Sequence, residues 1–363
     1  MNRIVLLLLT VFLLFSCKKN EDHNIIWEKS FGNGQAFFVG QTSDSALICC
    51  GTLSGKPFII RYASGMVAEA EYTSLSYGSF TSAWWCSDCF IAAGSSEGKM
   101  LVERIDPNGI HVWDTTISTD FEIEKTSLIH EGNGNFLAVG TGKADSFDNN
   151  ESGIFFVRID TSGNIISETV INGSGFLSAG QACSDQSGNI YIPLTVMAEG
   201  VKPKATVARF SSALNKIWET ELYNNPDYSA TCQAVVTDGS GMLFVTGDME
   251  ASNSSGVLKN SFLASCAANG EILWKRYPEN SNSGADLLWR EGEPLTMLNR
   301  NCFIIRKVNP DDGSDAGTIR MFSQCDSYTT DAFGTCLTDD SNGNFVCAGS
   351  MGGNFYIAVK SSQ

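Results

Sequence analysis

One segment recurs along this chain: an apolar strand, a short turn of Gly, Asn, Asp and Ser, then a second apolar strand that usually ends in Gly. It is clearest as Asp185-Gln186-Ser187-Gly188-Asn189-Ile190-Tyr191, Thr237-Asp238-Gly239-Ser240-Gly241 through Gly247, and Thr338-Asp339-Asp340-Ser341-Asn342-Gly343-Asn344 through Gly349. Looser copies run from His130 to Gly140, from Thr42 to Gly51 and from Cys86 to Gly94, and the weakest is at Trp289-Arg290-Glu291-Gly292-Glu293. A fixed period of this kind restricts a chain to solenoids, propellers or arrays. The Asx/Gly clusters supply the positive φ angles that tight hairpins need.

A second hairpin follows each first one. Its leading strand reads Phe58-Ile59-Ile60-Arg61-Tyr62, Phe155-Phe156-Val157-Arg158-Ile159 or Phe303-Ile304-Ile305-Arg306-Lys307-Val308, and seven such strands can be aligned. Turns such as Asp106-Pro107-Asn108-Gly109 and Asp160-Thr161-Ser162-Gly163 lead to an outer strand, which carries Trp113, Trp218 or Trp274 at matching positions. Four antiparallel strands in roughly 45–55 residues make one propeller blade. The expected fold class is therefore all-β, a seven-bladed β-propeller of four-stranded antiparallel blades. The seventh copy ends after its third strand, while Ile26-Trp27-Glu28-Lys29-Ser30-Phe31-Gly32 has the outer-strand pattern. The N-terminal strand is expected to complete the last blade and hide two sheet edges.

The spacing Asp-x-x-Gly-Asn-x-Tyr/Phe-x-x-x-Gly, an apolar strand, Asp-x-x-Gly and an outer-strand Trp resembles the bacterial seven-bladed-propeller (SBBP-type) repeats. The resemblance spans residues 26–363. It implies architecture and little about function, since propellers host both binding proteins and enzymes.

Ahead of the repeats lies a different kind of segment. Arg3 precedes an apolar run from Ile4 to Phe15, which is shorter than the ~20 residues of a spanning helix and fits a secretory signal. The run ends in Leu14-Phe15-Ser16-Cys17, which resembles a lipobox and implies lipid attachment at Cys17. Residues 1–16 are then signal peptide, 17–25 a lipidated tether and 26–363 the propeller. The resemblance is to Bacteroidetes lipoproteins of the outer membrane, facing the periplasm or the surface and held to the membrane through the N-terminal acyl chains. A net charge of −16 excludes nucleic acid as a natural partner, because phosphate binding needs clustered Lys and Arg.

Only three histidines are present, His23, His111 and His130, so a His-based metal centre or Ser-His-Asp triad has little to draw on. Twelve cysteines fit buried thiols better than a disulfide framework, since most sit inside apolar strand patterns. Cys86-x-x-Cys89 flanks a two-residue turn, which suits a structural disulfide or free thiols before redox or metal chemistry. Adjacent Cys49-Cys50 resembles the vicinal disulfide of quinone-cofactor propeller dehydrogenases, but the pair falls in a core strand. No catalytic residue, metal site or cofactor is assigned.

Binding residues are expected where second-to-third-strand loops are longest, over Lys143–Ser152, Met197–Lys204 and Asp248–Asn260. The same face should carry aromatics entering the innermost strands. The candidate ligand-binding residues are Tyr77, Phe121, Asp145, Asp148, Glu151, Phe176, Tyr228 and Tyr328. The expected function is non-enzymatic: a propeller face that binds a protein or glycan. The alternative is a carbohydrate-active or quinone-dependent propeller enzyme, which calls for convergent carboxylates or a charged funnel at the ring centre.

Overall fold

The computed structural model describes residues 25–118, 121–144, 151–174, 176–197, 200–223, 227–253, 256–278, 283–290, 292–299, 303–321 and 332–362. Every regular element among them is a β-strand. The strands form seven antiparallel blades whose innermost members are the second half of Ile25–Gln41 (blade one), Gly78–Trp85 (two), Phe121–Gly132 (three), Phe176–Ala179 with Cys183–Ser184 (four), Ser229–Thr237 (five), Gly284–Arg290 (six) and Ala332–Asp339 (seven). Blades two to six are separate sheets, whereas blades seven and one are a single sheet of seven strands joined through Ile25–Gln41.

That strand closes the ring as the repeat pattern predicts. Its first part pairs with Asn354–Lys360 of blade seven, with Trp27 opposite Val359 and Glu28 opposite Ala358. Its second part pairs with Leu47–Leu53 of blade one, from Gly34 opposite Leu53 to Gln41 opposite Leu47. Trp27 packs edge-on against Tyr62 of blade one, with ring centroids 4.8 Å apart. One strand thus supplies both the outer edge of the last blade and the inner wall of the first.

The apolar core lies between blades. Alternate residues of a strand point to opposite sheet faces, so Cys49 packs with Cys336, Val346 and Ile357 toward blade seven while Cys50 packs with Phe80 and Phe90 toward blade two. Neighbours on opposite faces cannot bond to each other here, and Cys49 and Cys50 are two separate core thiols.

The recurring motifs now have physical causes. In the Asp-x-x-Gly-Asn turns, one Asp340 oxygen accepts the N–H groups of Asn342 and Asn344, and the other accepts the Asn344 amide at 2.9 Å. Asp185 and Asp160 do the same in their own turns. These carboxylates fold the turn. The outer-strand Trp residues dock on the next blade: the indole N–H groups of Trp113, Trp218 and Trp274 donate to the carbonyls of Thr161 (3.1 Å), Ala268 (3.0 Å) and Pro310 (2.7 Å). Third-strand arginines reach two of the same carbonyls, Arg104 to Thr161 at 2.9 Å and Arg209 to Ala268 at 2.8 Å.

One of the expected long loops is shorter than the sequence suggests. The stretch read as a loop over Asp248–Asn260 is mostly ladder, paired from Asp248 opposite Ser261 to Asn253 opposite Gly256. In blade three the ladder reaches Lys143 opposite Ser152, the expected bounds of that loop, and residues 145–150 lie outside the described residues. The cause in blade five is alternation: Met249 and Ala251 are buried while Glu250 is exposed and pairs with Lys259 at 3.3 Å.

Candidate functional site

The innermost strands carry a shared irregularity that shapes the ring centre. Each ladder shifts by one residue, leaving Phe37, Thr81, Glu124, Gln233, Ala285 and Thr335 as bulges in blades one, two, three, five, six and seven. Blade four breaks at the same level, between Ala179 and Cys183. A bulge adds one residue and bends its strand. In four blades it drives a carbonyl of the innermost strand against the repeat glycine of the second strand. A Cβ on Gly51, Gly94, Gly247 or Gly349 would overlap the carbonyl of Gln35, Ser79, Thr231 or Phe333. In these four blades the second-strand glycine is therefore a steric requirement of the bulge.

The bulges also join neighbouring blades. The Thr81 hydroxyl donates to the Thr126 carbonyl (2.7 Å) and accepts the Thr126 N–H (3.0 Å). Ser127 accepts the Ala182 N–H at 3.0 Å, and the Gln181 N–H donates to the Gln233 carbonyl at 2.7 Å. Thr335 donates to the Ala36 carbonyl across the closing blade junction.

Inside this girdle lies a cavity of about 1090 Å³, lined by the innermost strands of all seven blades. Its described wall runs from the bulges to the first hairpin turns of blades one, two and three, where Thr42, Ser87 and Gly134 contribute. Gln35, Gln181 and Gln233 bring amides to the wall. Trp84, 42% exposed, also lines it and stacks on His130, with centroids 5.0 Å apart and planes at 21°.

Asp88 and Arg104, which pair at 3.4 Å, line the wall together with Lys125 and Asp286, while Asp248 lies behind Gln233, and the bonds of the last three decide what they can do. Asp248 accepts the Gly284 N–H (2.8 Å) with one oxygen and the Gln233 amide (3.0 Å) with the other. Asp286 accepts the Leu337 N–H of blade seven and its neighbour Leu287 N–H, both at 2.8 Å. Burial raises the pKa of Asp248, and it pushes Asp286 up to about 7 against those two N–H groups. Lys125 is enclosed by the ring although its side chain borders the open cavity. Burial lowers its pKa, and the charges of Asp248 and Glu124 pull it back up. Both oxygens of each carboxylate are thus committed, largely to tying blades five, six and seven together. Among the described residues no group of three or more His, Cys, Asp or Glu is placed to hold a metal.

The residues singled out from sequence lie elsewhere. Tyr77 is 67% exposed beside the Gly55 turn at the junction of blades one and two. Phe121 is half-buried, edge-on to Phe155 at 5.1 Å. Tyr228 is half-buried near Tyr223 (6.1 Å), which also meets the half-exposed Tyr277 at 5.9 Å. None of these three lines the described cavity wall. Phe176 and Glu151 begin strands of blades four and three. Cys17, Asp145, Asp148 and Tyr328 lie outside the described residues. The cavity residues escaped the sequence reading because the bulges at Phe37, Thr81, Glu124, Gln233, Ala285 and Thr335 follow no common residue type.

No protein-family model matches this chain, and no curated protein matches it. Among solved structures, the chain is similar to the Dos1 propeller at 10% identity, covering 93% of this chain and 95% of that one with a TM-score of 0.55. A protein of unknown function from Bacteroides caccae aligns at 13% identity over 72% of this chain and 82% of that one, with a TM-score of 0.45. The likeness to the Dos1 propeller bears on the fold alone.

Proposed function

We propose that this chain is a lipid-anchored binding module of the bacterial cell envelope whose propeller takes a glycan at the central cavity. One observation carries the reading: the cavity wall carries an exposed indole, Trp84, together with Gln35 and Gln181, while the central carboxylates are committed to inter-blade bonds. A flat aromatic offers contact area to the apolar face of a sugar ring. Amides both donate and accept, which suits hydroxyls. A largely preformed concave site with a few convergent polar groups is the usual form of a small-ligand site. Hydrolysis of a glycosidic bond would instead need two carboxyl groups free to act on substrate, whereas Asp286 is tied to blade seven and Asp88, the other carboxylate on the wall, pairs with Arg104.

A second reading rests on Tyr223, Tyr228 and Tyr277. Their contacts make an aromatic patch at the junction of blades four and five, on the side from which the second-to-third-strand hairpins project. That patch keeps the face carrying Tyr77, Phe121 and Tyr228 as a surface for a protein partner.

Anchoring follows from the Leu14–Cys17 pattern. The expected mature chain begins at a diacylated Cys17 and partitions into detergent, and Cys17→Ser should release it to the aqueous phase. An unmodified N-terminus at another residue, read by mass spectrometry, would contradict the anchor. The ligand reading is tested separately, by screening the soluble propeller against immobilised glycans beside its Trp84→Ala variant.

A further inference from the structure

We propose that Cys86 and Cys89 form a thiol–disulfide exchange site in the wall of the central cavity, interconverting with low-molecular-weight disulfides. The two residues flank the turn Ser87-Asp88, just beyond the last ladder pair, Trp85 opposite Phe90. Ser87 adopts φ +66° and the Cys86 N–H donates to the Cys89 carbonyl at 2.9 Å, so the hairpin holds the two facing each other. Residues opposed in this way have Cα atoms ~5.5 Å apart, inside the ~4.4–6.8 Å that a disulfide spans. The two thiols lie close enough for each to shift the other's acidity.

Cys86, with Cys89 buried beside it, stands apart from the other described cysteines. Cys49, Cys50, Cys232, Cys266, Cys336 and Cys347 are buried, so a small disulfide cannot reach them, and the half-exposed Cys183 does not line the cavity. Cys86 is half-exposed and lines the cavity, so a small molecule can reach it. Arg104 lies against Cys89. The Cys86 S–H and the Arg104 guanidinium hold the Cys89 thiol below its ordinary range despite burial, and Cys86 is raised in turn because it donates. The pair therefore keeps one proton between its two sulfurs once Cys89 ionises.

Exchange with glutathione disulfide then balances without any further group. Cys86 passes its proton to Cys89 and attacks one glutathione sulfur. A Cys86–glutathione bond forms and the first glutathione leaves as thiolate. Cys89 gives the proton to that thiolate and attacks the Cys86 sulfur, and the second glutathione leaves. Two electrons pass from the cysteine pair to glutathione, and excess glutathione reverses the sequence.

The full chain is equilibrated in buffers of oxidised and reduced glutathione, quenched with acid, alkylated and mapped by peptide mass spectrometry. Cys86 and Cys89 are expected to lose alkylation together in oxidising buffer and regain it in excess reduced glutathione, with the core cysteines unchanged. Cys89→Ser should trap glutathione on Cys86, and Cys86→Ser should carry no adduct. Both variants keep the turn, and an unchanged melting temperature checks that they fold. Thiols that stay free in oxidised glutathione would overturn the proposal. So would a Cys86–Cys89 bond that reduced glutathione cannot open, or a Cys89→Ser variant free of adduct.

Discussion

The indole N–H of Trp113 donates to the carbonyl of Thr161, 3.1 Å away on the next blade, above a glycine that has no room for a side chain. Gly163 sits at φ +86°, and a Cβ there would lie 2.9 Å from the Trp113 ring. Gly270 under Trp218 repeats the arrangement. The turn of one blade is thereby a socket for the outer strand of the blade before it, which is why a turn glycine recurs beneath Trp113, Trp218 and Trp274.

Trp113→Phe keeps most of the ring contact and loses the hydrogen bond, so it should cost about 1 kcal/mol in urea denaturation. Trp113→Ala should cost roughly 3 kcal/mol by emptying the socket. Gly163→Ala should destabilise as well, because it combines an unfavourable φ with a clash on the ring. A Gly163→Ala chain as stable as wild type would mean that the socket is loose.

The bulge glycines should be still less tolerant. Gly94→Ala or Gly349→Ala places a methyl where a carbonyl already stands, and neither the innermost nor the second strand can retreat without breaking its ladder. Loss of cooperative unfolding, or a drop of several kcal/mol, is expected for each. Gly65→Ala, which meets nothing within 4 Å, is the matched control.

Ring closure is testable by truncation. A chain starting at Gly34 loses the blade-seven partner strand, together with the contact of Trp27 on Tyr62. It exposes the edge of Asn354–Lys360, so both a lower melting temperature and concentration-dependent association are expected. Adding a peptide of residues 25–33 in trans should reverse part of the loss, and an unaffected melting temperature would contradict closure by this strand.

Stability should depend on pH in two opposing ways. Asn164 and the backbone N–H groups of its turn hold Asp160 below the usual carboxylate range, and side-chain and backbone bonds outweigh burial to do the same at Asp185. Those contributions are present above the unfolded pKa of ~4 and are lost as pH falls through the depressed values. Asp286, raised by burial to about 7, works the other way. Its contribution is full below ~4 and is lost as pH rises toward 7, and Glu103 and Asp248, also raised by burial, add to that decline. Melting temperatures measured from pH 5 to 8 (an interval of roughly one such titration) should fall, and Asp286→Asn should flatten the fall while lowering stability at acid pH by weakening the bond from Leu337. Parallel profiles for the two chains would show that Asp286 does not titrate there.

Much of this architecture was legible before any coordinates, because sequence repetition turns weak local signals into a strong one. Seven third strands such as Phe155–Ile159 counted the blades, and Trp27 matched Trp113, Trp218 and Trp274 closely enough to assign it to the last blade. The ring centre was not legible. The bulges range from Phe37 and Glu124 to Thr81, Thr335, Gln233 and Ala285 with no residue type common to all, since a bulge depends on how the strand curves around its neighbours. The recurring glycines were visible as a pattern, but the carbonyl that demands them comes from another strand. The projecting hairpin after Asp248 was misread as a loop because its Ser, Asn and Gly content outweighed the short alternation of Met249 and Ala251.

The most direct measurement is a glycan array probed with the soluble propeller and three variants: Trp84→Ala, Gln181→Ala and Tyr77→Ala. Trp84 and Tyr77 are both well exposed, at 42% and 67%, so neither change should threaten the fold. The account predicts that glycans held by the wild type are lost by Trp84→Ala, weakened at least tenfold by titration (about 1.4 kcal/mol), weakened less by Gln181→Ala and retained by Tyr77→Ala. Binding that survives Trp84→Ala and fails in Tyr77→Ala would contradict it and move the site to the opposite face of the ring.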